Sequence, residues 1–64
     1  MDAKKLVKGT WYDYVRKDGS RHRVKYLYPG VNGYFFLLEI RKGLMSLAEG
    51  VVRERIKKIG RAHV

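Results

Sequence analysis

Three cations that alternate along one short segment are the residues best suited to ligand chemistry in this sequence. Arg21, Arg23 and Lys25 are separated by single residues in the stretch RHRVKYLY. On a β-strand, alternate residues share one face and lie about 6.6–6.8 Å apart, twice the rise per residue. This separation is close to the spacing of successive phosphates on an extended single strand of nucleic acid. The spacing therefore predicts that the three cations can follow three phosphates.

Eight aromatic side chains are interleaved with these cations. A chain this short needs most of them for its core, and we expect Trp11 and Phe35 to remain partly exposed. Small β-barrels bind single strands by placing cations along the phosphates and aromatic rings against the bases. The predicted ligand is single-stranded nucleic acid or another phosphate-rich anion, and the predicted binding residues are Arg21, Arg23, Lys25, Trp11 and Phe35.

The side chains that enzymes use for acid–base or nucleophilic steps are sparse. Ser20 follows Asp18-Gly19 and is explained as a turn residue, while His22 begins a strand on its mostly apolar face. The sequence has no glycine-rich phosphate loop of the P-loop type. It also has no cysteine, which excludes disulfides and thiolate metal sites. We therefore predict a protein that is not an enzyme and that has no cofactor and no metal.

The charge balance of the chain is strongly positive. Fifteen Lys and Arg against six Asp and Glu give a formal net charge of +9. A field of this sign favours polyanions, although a basic surface can also serve solubility alone. The longest apolar run, Tyr34 to Leu38, is too short for a signal peptide or a membrane span. We expect a cytoplasmic protein without membrane insertion.

Turn signals recur every ten to twelve residues and divide the chain into short strands. Asp18-Gly19 predicts a hairpin, and PGVNG (29–33) and RKG (41–43) predict two further turns. The predicted fold is mostly β: a small antiparallel meander, or partly open SH3-like or PilZ-like barrel, with a C-terminal helix. The predicted elements are strands at 10–17, 21–28, 34–41 and 44–48, and a helix within 49–59.

The apolar pattern predicts which side chains of each element are buried. On the second strand, Arg21, Arg23, Lys25 and Leu27 are expected on the solvent face, opposite His22, Val24, Tyr26 and Tyr28. The third strand, YFFLLEI, is apolar on both faces and is predicted to be the central strand, covered on both sides. The predicted helix places Val52, Ile56 and Ile59 at helical spacing.

The last six residues have the sequence of a translated cloning remnant. IGRAHV followed by a stop codon is what one reading frame of a widely used short-read sequencing adapter encodes. We therefore expect Ile59 to Val64 to be non-native, the chain to be a fragment of a longer protein, and Gly60 to Val64 to make few contacts. The predicted organisation is a basic N-terminal segment at 1–9, one small domain at 10–59 and a non-native tail at 60–64.

The order of strands and turns over about residues 6–56 resembles a bacterial protein family. It is similar to the C-terminal region of the domain of unknown function 1631, which resembles a PilZ-type or SH3-like barrel. The resemblance rests on Gly9, Trp11, Asp18, Gly19, Arg23, Lys25, Tyr34, Phe36, Arg41, Gly43 and Leu44. It implies a structural or regulatory module of a larger cytoplasmic protein, whose sheet edge is completed by further chain. The expected protein partner is the remainder of the parent chain or a second copy of this one.

PilZ domains bind cyclic di-GMP through two short motifs that this sequence matches only in part. Asp18-Gly19-Ser20 fits the start of one motif, but Arg23 stands where its last glycine belongs. Lys4 and Lys8 have the spacing of the two arginines in the other motif, but they lack the guanidinium forks. These departures argue against cyclic di-GMP. Two hypotheses remain open: a non-enzymatic structural or regulatory module, and a basic domain that binds nucleic acid or a phosphate-rich ligand.

Overall fold

A computed structural model describes residues 1–59 as one antiparallel sheet with a short helix. The strand order is β4-β3-β2-β1-β5, so β4 and β5 form the two edges of an open sheet. The prediction of a mostly β meander with a C-terminal helix is confirmed. No helix in this part of the chain is long and apolar enough to cross a bilayer. The elements are a 3₁₀ turn at Ala3–Lys5, β1 at Trp11–Val15, β2 at Arg21–Pro29, β3 at Tyr34–Leu38, β4 at Gly43–Leu47, α1 at Glu49–Arg55 and β5 at Ile56–Lys58.

The turn between β1 and β2 forms as its Asp-Gly sequence predicts. Gly19 has a φ of 90°, a backbone conformation that glycine adopts without steric cost. The Arg16 amide donates to the Ser20 carbonyl at 2.8 Å and closes the hairpin. The Asp18 Oδ1 accepts from the Ser20 hydroxyl at 2.7 Å and from its amide at 2.9 Å. These hydrogen bonds hold the pKa of Asp18 below its usual value, and they account for Ser20 as a turn residue.

The sheet has two faces of opposite character, which we call the core face and the outer face. Residues paired directly across antiparallel strands lie on the same face, so the register assigns every side chain. The core face carries Tyr12, Val24, Phe36 and Ile56, all buried, and Ala3 and Val52 from the 3₁₀ turn and α1 complete the core. None of the side chains on the outer face is fully buried. They are Trp11, Asp13, Val15, Arg21, Arg23, Lys25, Tyr28, Phe35, Leu37, Leu44, Ser46 and Lys57.

The predicted helix ends early and a fifth strand replaces its last turn. The helix closes at Arg55, and Ile56 has extended backbone angles, with φ −91° and ψ 125°. The residues of β5 pair with the free side of β1, placing Ile56 opposite Tyr14. The helical spacing of Val52 and Ile56 predicts that the helix continues through Ile56. The prediction was wrong because a single buried isoleucine satisfies either pattern, and hydrogen bonding to the β1 edge decides between them.

The third strand is neither central nor covered on both sides, which corrects a second prediction. β2 occupies the centre of the sheet, with two strands on each side. On β3, Phe36 is fully buried while Phe35 and Leu37 on the outer face are only half-buried. The strand also ends at Leu38, before the predicted limit of residue 41, and β1 ends at Val15 rather than at residue 17.

The basic N-terminal segment packs against the domain. Ala3 is 5% exposed in the core, and the terminal amine of Met1 donates to the Arg53 carbonyl at 2.7 Å. The Val7 amide donates to the Tyr12 hydroxyl at 2.9 Å, which attaches the segment to β1. The predicted lack of contacts at 60–64 lies outside the described residues.

Candidate functional site

All five predicted ligand-binding residues lie on the outer face of the sheet. Arg21, Arg23 and Lys25 alternate along β2, as predicted, and Trp11 of β1 is the direct partner of Lys25. On the other side, Lys25 pairs with Leu37, and Phe35 lies two residues before Leu37 on the same face of β3. The register therefore places two aromatic rings, one on each neighbouring strand, beside the end of the cation row.

The Lys25 ammonium lies over the Trp11 indole. The Nζ atom lies 5.8 Å from the centre of the ring, within the range of a cation–π interaction. Both side chains are half-buried. This pair puts a cation and a stacking surface side by side, the two groups that a single-stranded nucleic acid needs for its phosphates and bases.

A β-bulge adds a further ring to the outer face. Tyr26 pairs with Phe36 on the core face, but the register then shifts and Tyr28 pairs with Phe35. The two rings have centres 5.0 Å apart and planes tilted by 44°. Tyr28 was predicted on the core face, and this was wrong because strict alternation assumes an unbroken strand. The available signal was Pro29, since proline within a sheet favours strand ends and bulges.

Carboxylates partly offset the positive charge of the outer face. Asp13 lies opposite Arg23 on one side and opposite Lys57 on the other. Its Oδ2 is 3.8 Å from Nη1 of Arg21, in an ion pair whose arginine side chain is 69% exposed while that of Asp13 is only 17% exposed. A second acid, Glu39, comes directly after β3 and lies beside Arg23 in the backbone, since its amide donates to the Arg23 carbonyl at 3.0 Å. Lys25 lies beyond these acids, next to Trp11, and is the cation best placed for a ligand.

A concavity of about 460 Å³ adjoins the outer face at Trp11. Trp11 forms part of its wall together with Val7, Lys5 and Lys58. Lys25 is not among the lining residues, so Trp11 borders both this concavity and Lys25. A planar group can therefore reach Trp11 without displacing Lys25.

No protein-family model, curated protein or solved structure matches this chain. The resemblance to the domain of unknown function 1631 therefore stays a prediction. In residues 1–59 no three His, Asp or Glu side chains come together as a metal site would require. The candidate site thus consists of cations and aromatic rings on one face of the sheet.

Proposed function

We propose that the outer face binds single-stranded nucleic acid. The contact between Lys25 and Trp11, next to the aromatic pair Tyr28 and Phe35, is the observation that supports this most directly. These groups share a face with Arg21 and Arg23, and the net charge of +9 favours a polyanion over a neutral ligand. Such a partner would be met in the cytoplasm, the location that the sequence predicts.

In this proposal the phosphates follow the row of three cations on β2, and the bases stack beside the Lys25 end of that row. Arg21, Arg23 and Lys25 provide cations at alternate positions, and each phosphate they neutralise releases a counterion. Trp11 on β1 and Phe35 on β3 flank the Lys25 end of the row. Aromatic stacking accepts any base, so the interface is expected to bind with little sequence preference.

The test is a titration with a fluorescently labelled oligonucleotide at several salt concentrations. Each phosphate contacted on a single strand should steepen the dependence of log affinity on log salt by about 0.7. Changing Arg21, Arg23 and Lys25 together to Glu should abolish binding, while Trp11→Ala should weaken it by about 1–3 kcal/mol if a base stacks there. Trp11 is the only tryptophan, so its own fluorescence reports binding at this face.

A matched variant separates the site from overall charge. Lys4, Lys42 and Arg53 are exposed and lie off the outer face, so changing all three to Glu alters net charge by the same amount. This control should retain most of the binding. The proposal is wrong if the wild type does not bind at low salt, or if both triple variants lose affinity equally.

A second proposal, closer to the structural-module hypothesis, is that two copies of the chain pair through β4. The outer edge of β4 has no partner strand within residues 1–59, and its five residues, GLMSL, carry no charge. In the chain as a whole, 33% of residues are charged, and edge strands are usually protected by charge. Leu44 on this edge is 60% exposed, which favours a partner that covers it.

Sedimentation at increasing protein concentration tests the pairing of two copies. The wild type should form a dimer, and Leu44→Lys should remain monomeric because like charges would then approach each other across the new strand pair. The exposed Val31, outside any strand, gives the control Val31→Lys, which should still dimerise. A wild type that stays monomeric at every concentration would contradict this second proposal.

A further inference from the structure

Two concavities meet on the core-face side of the sheet, near the turn between β1 and β2. Their volumes are about 430 and 320 Å³, and both are lined by Tyr14 and Arg16. Tyr14 is half-buried against the core, so its ring forms part of a packed wall. We call the two together the Tyr14 cleft, with a basic lobe and an apolar lobe. Neither lobe includes a residue of the outer face.

The basic lobe brings together three cations and one carboxylate, so its lining carries a net positive charge. Besides Arg16, it is lined by Lys17 and Arg55, and neither of the two ion pairs in residues 1–59 involves any of these three. Arg55 is held in place because its Nη1 donates to the Val15 carbonyl at 3.3 Å. The one acid in the lining, Asp18, accepts two hydrogen bonds from Ser20, and these bonds together with the nearby charge of Arg16 hold its pKa below the usual value. This lobe suits a phosphate group.

The apolar lobe offers a different surface on the other side of Arg16. Leu38 and Met45, both half-buried and packed against the core, are among its lining residues. Ile40 is 72% exposed there and adds accessible apolar surface to the lining. His22 and Arg41 complete the lining. A flat, mostly apolar group with polar edges, such as a nucleobase, fits this combination.

We propose that the Tyr14 cleft binds a nucleoside monophosphate group. The phosphate lies in the basic lobe, between Arg16, Lys17 and Arg55, and the base lies in the apolar lobe against Leu38 and Met45. Arg16 borders both lobes and is the central ligand contact. The proposal does not require the outer face to bind nucleic acid. The group can belong to a free nucleotide or to the phosphorylated end of a single strand, and the experiment distinguishes these sources.

His22 provides a spectroscopic probe inside the cleft. The chain has only two histidines, so replacing His63 leaves His22 as the single source of imidazole signals in NMR spectra. Adding adenosine 5′-monophosphate to the folded full-length chain should shift the His22 signals in a saturable way. Adenosine alone and inorganic phosphate alone should each bind at least about tenfold more weakly, because each fills one lobe only.

Two arginine substitutions locate the site. Arg16→Ala should weaken nucleotide binding about fivefold, the scale of one partly exposed ionic contact, and Arg41→Ala should weaken it less. Arg53→Ala is the matched control, since Arg53 lies on an exposed part of α1 outside the cleft. It should leave the affinity unchanged. Thermal unfolding of each variant confirms that the affinities are measured on folded protein.

The outcomes separate this proposal from the proposed function of the outer face. If the His22 signals do not move with the nucleotide, or if inorganic phosphate binds as tightly, the nucleotide site is wrong whatever the oligonucleotide titration shows. If they move and Arg16→Ala suppresses the change, the site stands even where the outer face binds nothing. A strand with a 5′-phosphate that shifts His22, when the same strand without it does not, assigns the site to strand ends. A shift by the free nucleotide alone assigns it to free nucleotide.

Discussion

Phe35 and Phe36 are neighbours in the sequence and have opposite environments in the structure. Phe36 is fully buried on the core face, in contact with Tyr26 at a ring distance of 5.4 Å. Phe35 is half-buried on the outer face, where its ring lies 5.0 Å from that of Tyr28. The residue type is identical, so the difference comes from the alternation of side chains between the two faces of the strand. The same contrast holds along β2 between Val24, which is fully buried, and Arg23, which is exposed.

This comparison shows that the fully buried side chains of the sheet lie on one face, opposite the face where we propose that a ligand binds. The core face contains the large apolar contacts that a chain of 64 residues needs to fold. The aromatic rings on the outer face are only partly buried, so part of their surface remains accessible to a ligand. Substitutions on the two faces should therefore have effects of different size and kind, and the following predictions test this, beginning with the largest effect.

Truncating the two phenylalanines should separate the faces clearly. Phe36→Ala should cost about 3–5 kcal/mol, which is comparable to the whole stability of a domain this small, so the variant should be largely unfolded. Phe35→Ala should cost less, about 1–3 kcal/mol, because it loses a half-buried ring surface and the contact with Tyr28, and the variant should remain folded. Circular dichroism during thermal unfolding measures both. Equal losses of stability would show that the outer face is part of the core.

The fold could be predicted from sequence wherever a local signal was strong. Asp18-Gly19 determined the first hairpin, and the alternation from Arg21 to Tyr26 correctly gave the faces of β2. The fifth strand was missed because Ile56–Lys58 is only three residues long and its pairing partner, β1, is more than forty residues away. Strand pairing over such a distance leaves no periodicity in the sequence.

The candidate site was predicted in part, for a related reason. Arg21, Arg23 and Lys25 follow from alternation within one strand, which is a local property. The direct pairing of Trp11 with Lys25 depends on the register between two strands, which composition does not specify. The Tyr14 cleft was not predicted at all, because Arg16, Arg41 and Arg55 come from three different elements and meet only in the folded chain.

Tyr12 links the N-terminal segment to the core face, and its hydroxyl offers the next largest effect. Tyr12→Phe keeps the buried ring but removes the acceptor for the Val7 amide, at present 2.9 Å away. We expect a loss of about 0.5–1.5 kcal/mol in the free energy of unfolding. Hydrogen exchange should show faster exchange at Val7 and no change along β2. The control, Tyr28→Phe on the outer face, should leave stability almost unchanged.

The core face should also make stability depend on alkaline pH. Burial, with smaller contributions from Tyr34 and Tyr12, raises the pKa of Tyr26 above its ordinary value of 10.0. The unfolded chain then loses this proton at lower pH than the folded chain, so stability is fully present below about pH 10 and falls as pH rises beyond it. Chemical unfolding at several alkaline pH values should show a smaller decline for Tyr26→Phe. An identical decline in both proteins would assign the effect to other groups.

The smallest effect on stability, and the most informative about the outer face, is expected from Asp13→Asn. Asp13 lies between Arg23 and Lys57 and forms the 3.8 Å ion pair with Arg21, so its carboxylate reduces the positive field where we propose that phosphates bind. Removing this charge should change the free energy of unfolding by less than about 1 kcal/mol, because the 3.8 Å pair is long and its Arg21 side chain is exposed to solvent. It should also strengthen oligonucleotide binding and steepen its salt dependence by up to about 0.7 for each additional phosphate neutralised. The matched control is Glu49→Gln, which removes one negative charge from α1, away from the outer face. Tighter binding in Asp13→Asn alone would place the nucleic acid on the outer face, whereas equal gains in both variants would show that only net charge matters.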